Sequence, residues 1–232
     1  MASAAKLDLL HDLRERTQRI AAAHRRACKT GSISTGFEPL DQLLPHTGFE
    51  AGTLVDWLAD AEGHGAVALS LRVAAHALER GGACVVIDSA GEFYPPAAAE
   101  VGLPLERTIV VRPTGPRLAL WAWEQSLRFR GVAVTLGEIG SLSDRPFRRL
   151  QLAAETGGGL GFLVRPAACR AEPSWAAVRL GVTALPSRAL GRRWRIELLS
   201  GAAGAAVELE LGHETNPLPV VSELAGATAA AG

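Results

Sequence analysis

The chain has 232 residues, enough for one substantial α/β domain with short extensions and too few for two large domains. Hydrophobic residues make up 48% and aromatics only 5%, so the expected core is full and built largely from Ala, Val and Leu. The 24 basic and 24 acidic residues cancel to a net charge of +0, which excludes an overall electrostatic pull toward nucleic acid or membrane and leaves any such contact to a local patch.

Residues 6–28 read as an N-terminal helix. Leu10, Leu13, Thr17 and Ile20 recur at 3-4-3 spacing, with Arg14, Arg16, Arg19, Arg25 and Arg26 largely off that seam. Leu10, Leu13 and Ile20 therefore form a candidate partner-binding stripe, although the same seam would also suit a helix packed on its own domain. "KTGSISTG" breaks the pattern as a linker, so residues 1–31 stand apart from a core over 32–212. Within "ISTGFEPLDQLLPHTGFEAG" a short helix is expected over Pro39–Leu44.

From Gly52 strands and helices alternate. "TLVDWL" is strand-like, Ala66–Arg80 is helical and "GG" ends that helix. "ACVVID" is a nearly continuous apolar run, as in a strand buried on both faces. A short helix starts behind Pro96, "TIVVRP" is the next strand, and 116–130 is helical. "GVAVTL" follows as a strand, then "DRPFRRLQLAAETGGG" as a helix capped by Asp144, then "GFLVRP" as a strand. Alternation of this kind predicts an α/β fold with a mostly parallel, doubly wound sheet. After Pro173 the segments "AAVRLGVTALP", "RRWRIELLS" and "AAVELELG" alternate apolar and polar residues, which predicts a C-terminal antiparallel meander on the sheet's edge. Residues 213–232 read as a flexible tail.

Cys28, Cys84 and Cys169 are widely spaced, with no C-x-x-C pair and no histidine at zinc spacing, so they read as small buried hydrophobes in a reducing compartment. The N-terminus carries charges throughout, unlike a secretory signal, and no apolar run approaches the ~20 residues of a membrane span. The expectation is a cytoplasmic protein with no membrane partner and no metal.

The stretch "LADAEGHGAVALS" sits between the first strand of the core and its helix, where a phosphate-binding loop would lie. A working loop, G-x-x-x-x-G-K-[ST], needs glycines that turn N–H groups on the phosphates, a lysine for their charge and a hydroxyl for Mg²⁺. Gly63 and Gly65 supply part of the backbone geometry, but Ala66 and Val67 occupy the lysine and hydroxyl positions. His64, mostly neutral at pH 7, is the sole cation candidate, while Asp60 and Glu62 add negative charge. No lysine follows Lys29 anywhere in the chain. Asp88, ending "ACVVID", and Glu92 are the candidate remnant carboxylates, but without a lysine partner a strand-end or capping role is the commoner one. No Ser-His-Asp set, Cys-His set or G-x-S-x-G occurs. No catalytic residue and no resident cofactor are expected, and ATP is not expected to be hydrolysed.

The order of these elements is familiar. "SISTGFEPLDQLLPHTGFEAGTLVDWL" resembles the opening of the RecA recombinase core, and "GGACVVIDSAGEFYPPAAAEVGLPLERTIVVRPTG" continues the match through strand, Asp, proline-bearing loop and next strand. "EFYPPAAAEVG", "FRRLQLAAETGGGLGFLVRP" and "PSWAAVRL" are similar to the ImuA-type RecA-like proteins of bacterial mutagenic repair cassettes, over roughly Ser32 to Leu211. The resemblance implies a RecA-like P-loop NTPase core in which the family's catalytic glutamate falls on Ala90. It implies a damage-inducible role beside an ImuB-like Y-family polymerase homologue and an error-prone DNA polymerase, with RecA and single-stranded DNA as further candidate partners. A genuine RecA-type DNA-dependent ATPase and a SulA-like cell-division inhibitor are the alternatives. Two arginine clusters are candidate DNA or partner contacts: Arg145, Arg148 and Arg149, and Arg192, Arg193 and Arg195 around Trp194. Arginine beside a stacking aromatic suits single strands, but arginine is nearly the only cation this chain uses, so such clusters also arise by composition.

Overall fold

A computed structural model describes residues 32–60, 63, 65–186, 192–200 and 205–211. The helix expected over 6–28 (with Leu10, Leu13 and Ile20), His64 of the loop and the tail after 211 lie outside the described residues.

Eight strands form one sheet in the order β3-β2-β4-β5-β1-β6-β7-β8. In chain order the elements are α1 (Glu38–Leu43), β1 (Leu54–Ala59), α2 (Ala66–Ala77), β2 (Ala83–Ile87), α3 (Pro95–Glu100), β3 (Thr108–Val111), α4 (Pro116–Arg128), β4 (Val132–Glu138), α5 (Asp144–Gly157), β5 (Leu160–Pro166), β6 (Val178–Leu185), β7 (Arg192–Leu198) and β8 (Ala206–Leu211). Short 3₁₀ turns cover Leu78–Arg80, Leu105–Arg107 and Ala167–Ala171. The chain is thus an α/β protein with a mostly parallel sheet, covered by helices on both faces, and an antiparallel C-terminal edge.

The two faces are filled by alternate residues of the same strands, because side chains on a strand change face at every step. One face packs Val55, Trp57, Val86, Val134 and Phe162 with α1, α2 and α3. Phe49, Trp57 and Phe162 meet edge to face there, with ring centroids 5.6 to 6.2 Å apart. The other face packs Leu54, Val85, Ile87 and Leu163 with α4 and α5. β1 is buried along nearly its whole length, which explains why "LVDWL" reads as an unbroken apolar run interrupted by one charge.

Two expectations need correction. β6 pairs parallel to β1 and antiparallel to β7, so the reversed edge begins only at β7. The cause is that residues 167–177 carry the chain from the end of β5 back to the start of β6, on the far side of β1. Asp144 is the first residue of α5 and not its cap. Ser143 holds the cap position with no side-chain cap bond, and the Asp144 carboxylate accepts a 2.7 Å hydrogen bond from the Trp175 indole N–H.

Candidate functional site

The loop after β1 is the natural place to look for chemistry, because in parallel sheets ligands gather where strands hand over to helices. Gly63 and Gly65 both take positive φ, +77° and +82°, which glycine adopts without the strain a Cβ brings. Gly65 is the cap residue of α2 and its carbonyl accepts the Leu69 N–H at 2.9 Å, so the helix starts where a phosphate loop would place it. The two side chains that follow carry neither charge nor hydroxyl. Ala66, at the lysine position, is 2% exposed and belongs to the core, and Val67, at the hydroxyl position, is an exposed hydrocarbon.

Both ends of the loop are tied to the C-terminal strands. The Asp60 N–H donates to the Val182 carbonyl at 3.2 Å, and the Asp60 carboxylate accepts the Thr183 hydroxyl. Asp60 is therefore engaged with β6. At the other end, a Cβ on Gly65 would collide with Nε1 of Trp194 and lie 3.1 Å from its Cε2. Sequence reasoning placed Trp194 in an arginine cluster, whereas the structure brings it to the loop.

Asp88 closes β2 and is 7% exposed. Its Oδ1 accepts the Glu92 N–H at 2.8 Å and the Phe93 N–H at 3.2 Å, and its Oδ2 pairs with Arg112 Nε at 2.8 Å. Burial pushes the Asp88 pKa up, but the Arg112 hydrogen bond and the two backbone N–H groups outweigh it, so the carboxyl stays below its ordinary range. The carboxylate is spent on organising the 89–94 turn and the β2–β3 junction. Glu92 contributes its backbone N–H to that turn and keeps its side chain exposed.

The arginine clusters are only partly assembled. Arg149 and Arg128 both pair with the nearly buried Glu124 carboxylate, joining α5 to α4. Arg148 stacks over the Trp175 ring at 4.4 Å, and Arg145 is exposed. On β7 the strand alternation separates the group. Trp194 is 3% exposed in the core, while Arg193 and Arg195 lie on the opposite face and Arg192 is exposed at the strand's start. Arg193 pairs with Glu208 at 2.8 Å on β8.

A third charged site lies outside everything the sequence singled out. Asp56 of β1, 0% exposed, accepts at Oδ2 from Arg165 Nη1 at 3.2 Å, Arg179 Nε at 3.1 Å and Ser174 Oγ at 2.9 Å. Arg165, itself buried, donates to Glu172 at 2.6 Å and lies 5.3 Å from the Phe147 ring centroid. A Ser141 hydrogen bond, against the opposing effect of burial and with the Arg165 charge adding to it, holds the Glu172 carboxyl below its ordinary range. Two cations and two anions balance, as buried charges must. The network bolts β1, β5 and β6 to the loops after β4 and β5.

Among the described residues no group of His, Cys, Asp or Glu could hold a metal ion, and no helix is long and apolar enough to cross a membrane. No protein-family model matches the chain. Protein ImuA of Caulobacter vibrioides is 32% identical over 167 residues, covering 63% of this chain and 68% of that relative. The chain belongs to the ImuA family. RecA of Rhodospirillum rubrum is 33% identical over 131 residues, 56% of this chain and 33% of its own length. The cell division inhibitor SulA of Photorhabdus laumondii is 36% identical over 78 residues, 34% of this chain and 44% of that protein. The RecA likeness agrees with the mostly parallel α/β sheet of this chain.

Proposed function

We propose that this protein is a RecA-like accessory factor of DNA-damage-induced mutagenic synthesis, working by binding partners and not by turning over ATP. The observation that carries the second half is Ala66: the lysine position holds a buried core methyl, and no lysine follows it in the chain. Asp88, which follows β2, already accepts from Arg112 and two backbone N–H groups, and this engagement supports a structural role over one in activating water or holding Mg²⁺.

Kinship with ImuA supports the damage-response setting and, with it, the ImuB-like Y-family homologue and the error-prone polymerase as partners, with RecA and single-stranded DNA behind them. Binding by protein contact draws support from large apolar side chains left in solvent around β3 and α4. Trp121 is 60%, Ile109 54% and Leu118 49% exposed, and aromatic side chains of this kind are typical interface anchors. The division-inhibitor reading has a narrower base, since the SulA match spans 34% of the chain against 63% for ImuA.

Co-purification with the ImuB-like protein and the error-prone polymerase, with and without residues 1–30, tests the reading. A complex that forms without nucleotide and weakens when residues 1–30 are removed is the expected result. No complex, together with division-ring collapse on expression, would transfer the chain to the SulA-like role.

A further inference from the structure

A loop that does not turn over ATP still has to hold a shape, because a glycine-rich turn between a buried strand and a helix loses its order cheaply. We infer that Trp194 is the internal clamp that does this: its indole braces the loop–helix junction at Gly65, so that the C-terminal strands set the loop where bound nucleotide would otherwise do so. The inference rests on the loop's being non-hydrolytic, as proposed above.

Four observations converge on it. Gly65 stands against the Trp194 indole so closely that no Cβ fits between them, and its φ of +82° belongs to the left-handed region. Trp194 is 3% exposed although its β7 neighbours Arg193 and Arg195 face the other way. The ring cannot drift, since Trp194 is in register with Ala184 of β6 on one side and Leu209 of β8 on the other. The opposite end of the loop is fixed from the same region, through Asp60 to Val182 and Thr183 of β6. Two adjacent strands, β6 and β7, thus contact Asp60 and Gly65 respectively. The largest aromatic of those strands sits where α2 begins, beside the core residue Ala66.

Amide hydrogen exchange of the full chain over residues 65–71 tests the clamp, in wild type, Trp194→Ala and Trp194→Phe, each with and without millimolar MgATP. In wild type the amides from Leu69 onward, the first with a helical acceptor, should be protected without nucleotide and change less than twofold when MgATP is added. Trp194→Ala should speed their exchange at least tenfold while β4 and β5 keep their wild-type rates. Trp194→Phe, which keeps a ring on an intact β7 ladder, should speed it about threefold, and carries the comparison alone should the alanine variant not fold. Unchanged exchange over 65–71 in a folded variant would overturn the clamp and leave the proposed function standing. MgATP-dependent protection of wild type would show that nucleotide still orders the junction and would overturn the inference that Trp194 replaces it, while the non-hydrolytic reading is decided separately by ATP turnover.

Discussion

At Ala66 the helix after the loop begins on a buried methyl group. The position is buried among the α2 and sheet residues, so Ala66→Lys would force an ammonium or its long stem into a packed core. We expect a loss of about 2–3 kcal/mol in urea unfolding for that change, whereas Val67→Thr, at an exposed site, should stay within about 0.5 kcal/mol. The pair together should not recover ATP turnover. Asp88 makes a matching case. Its carboxyl pKa lies below the ordinary value, so the stability it contributes is present above about pH 4 and fades as pH falls through the depressed value. Asp88→Asn should cost about 1–3 kcal/mol at pH 7, because a neutral amide cannot match both the Arg112 charge and two N–H donors, and the variant should show a shallower loss of stability in acid. The absence of lysine and hydroxyl was readable from the residue string alone. That Asp88 is held by Arg112 was not, because the two are 24 residues apart and only the β2–β3 pairing brings them together.

Among the elements, the strands and helices follow the periodicity of the sequence closely, since β1, β2, β4 and β5 are buried on both faces and leave a continuous apolar signature. What escaped was direction and partnership. Nothing local to "AAVRLGVTALP" distinguishes a strand parallel to β1 from one reversed on it, because the difference lies in the crossover through 167–177. Trp194 is a different case: "RRWRIE" places the indole among arginines along the chain, while the strand alternation, legible in the same residues, sends it to the opposite face. The Asp56 network left a fainter trace, one charge inside each of three apolar strands: "LVDWL", "GFLVRP" and "VRL". Buried charges must find one another, so these three could have been paired on that ground alone. Asp56→Ala would leave Arg165 buried beside an empty site and should cost about 3–5 kcal/mol, read as a drop in the urea midpoint. Arg145→Ala, at an exposed residue, should leave stability unchanged within about 0.5 kcal/mol.

As a whole, the molecule is a RecA-like α/β core of the ImuA family, and the proposed loss of ATP turnover rests on three of its features. Ala66 is a core methyl, Asp88 organises the turn after β2, and Trp194 of β7 lies against Gly65. Large apolar side chains, Ile109 of β3 and Leu118 and Trp121 of α4, are exposed, and the proposal of partner binding draws on them. The most direct test of that account is ATP turnover by the purified full-length chain, with and without single-stranded DNA, set beside Asp88→Asn. The account predicts turnover at the level of the buffer, unchanged by DNA and by the substitution. DNA-stimulated turnover that disappears in Asp88→Asn would contradict it and make the chain a working ATPase.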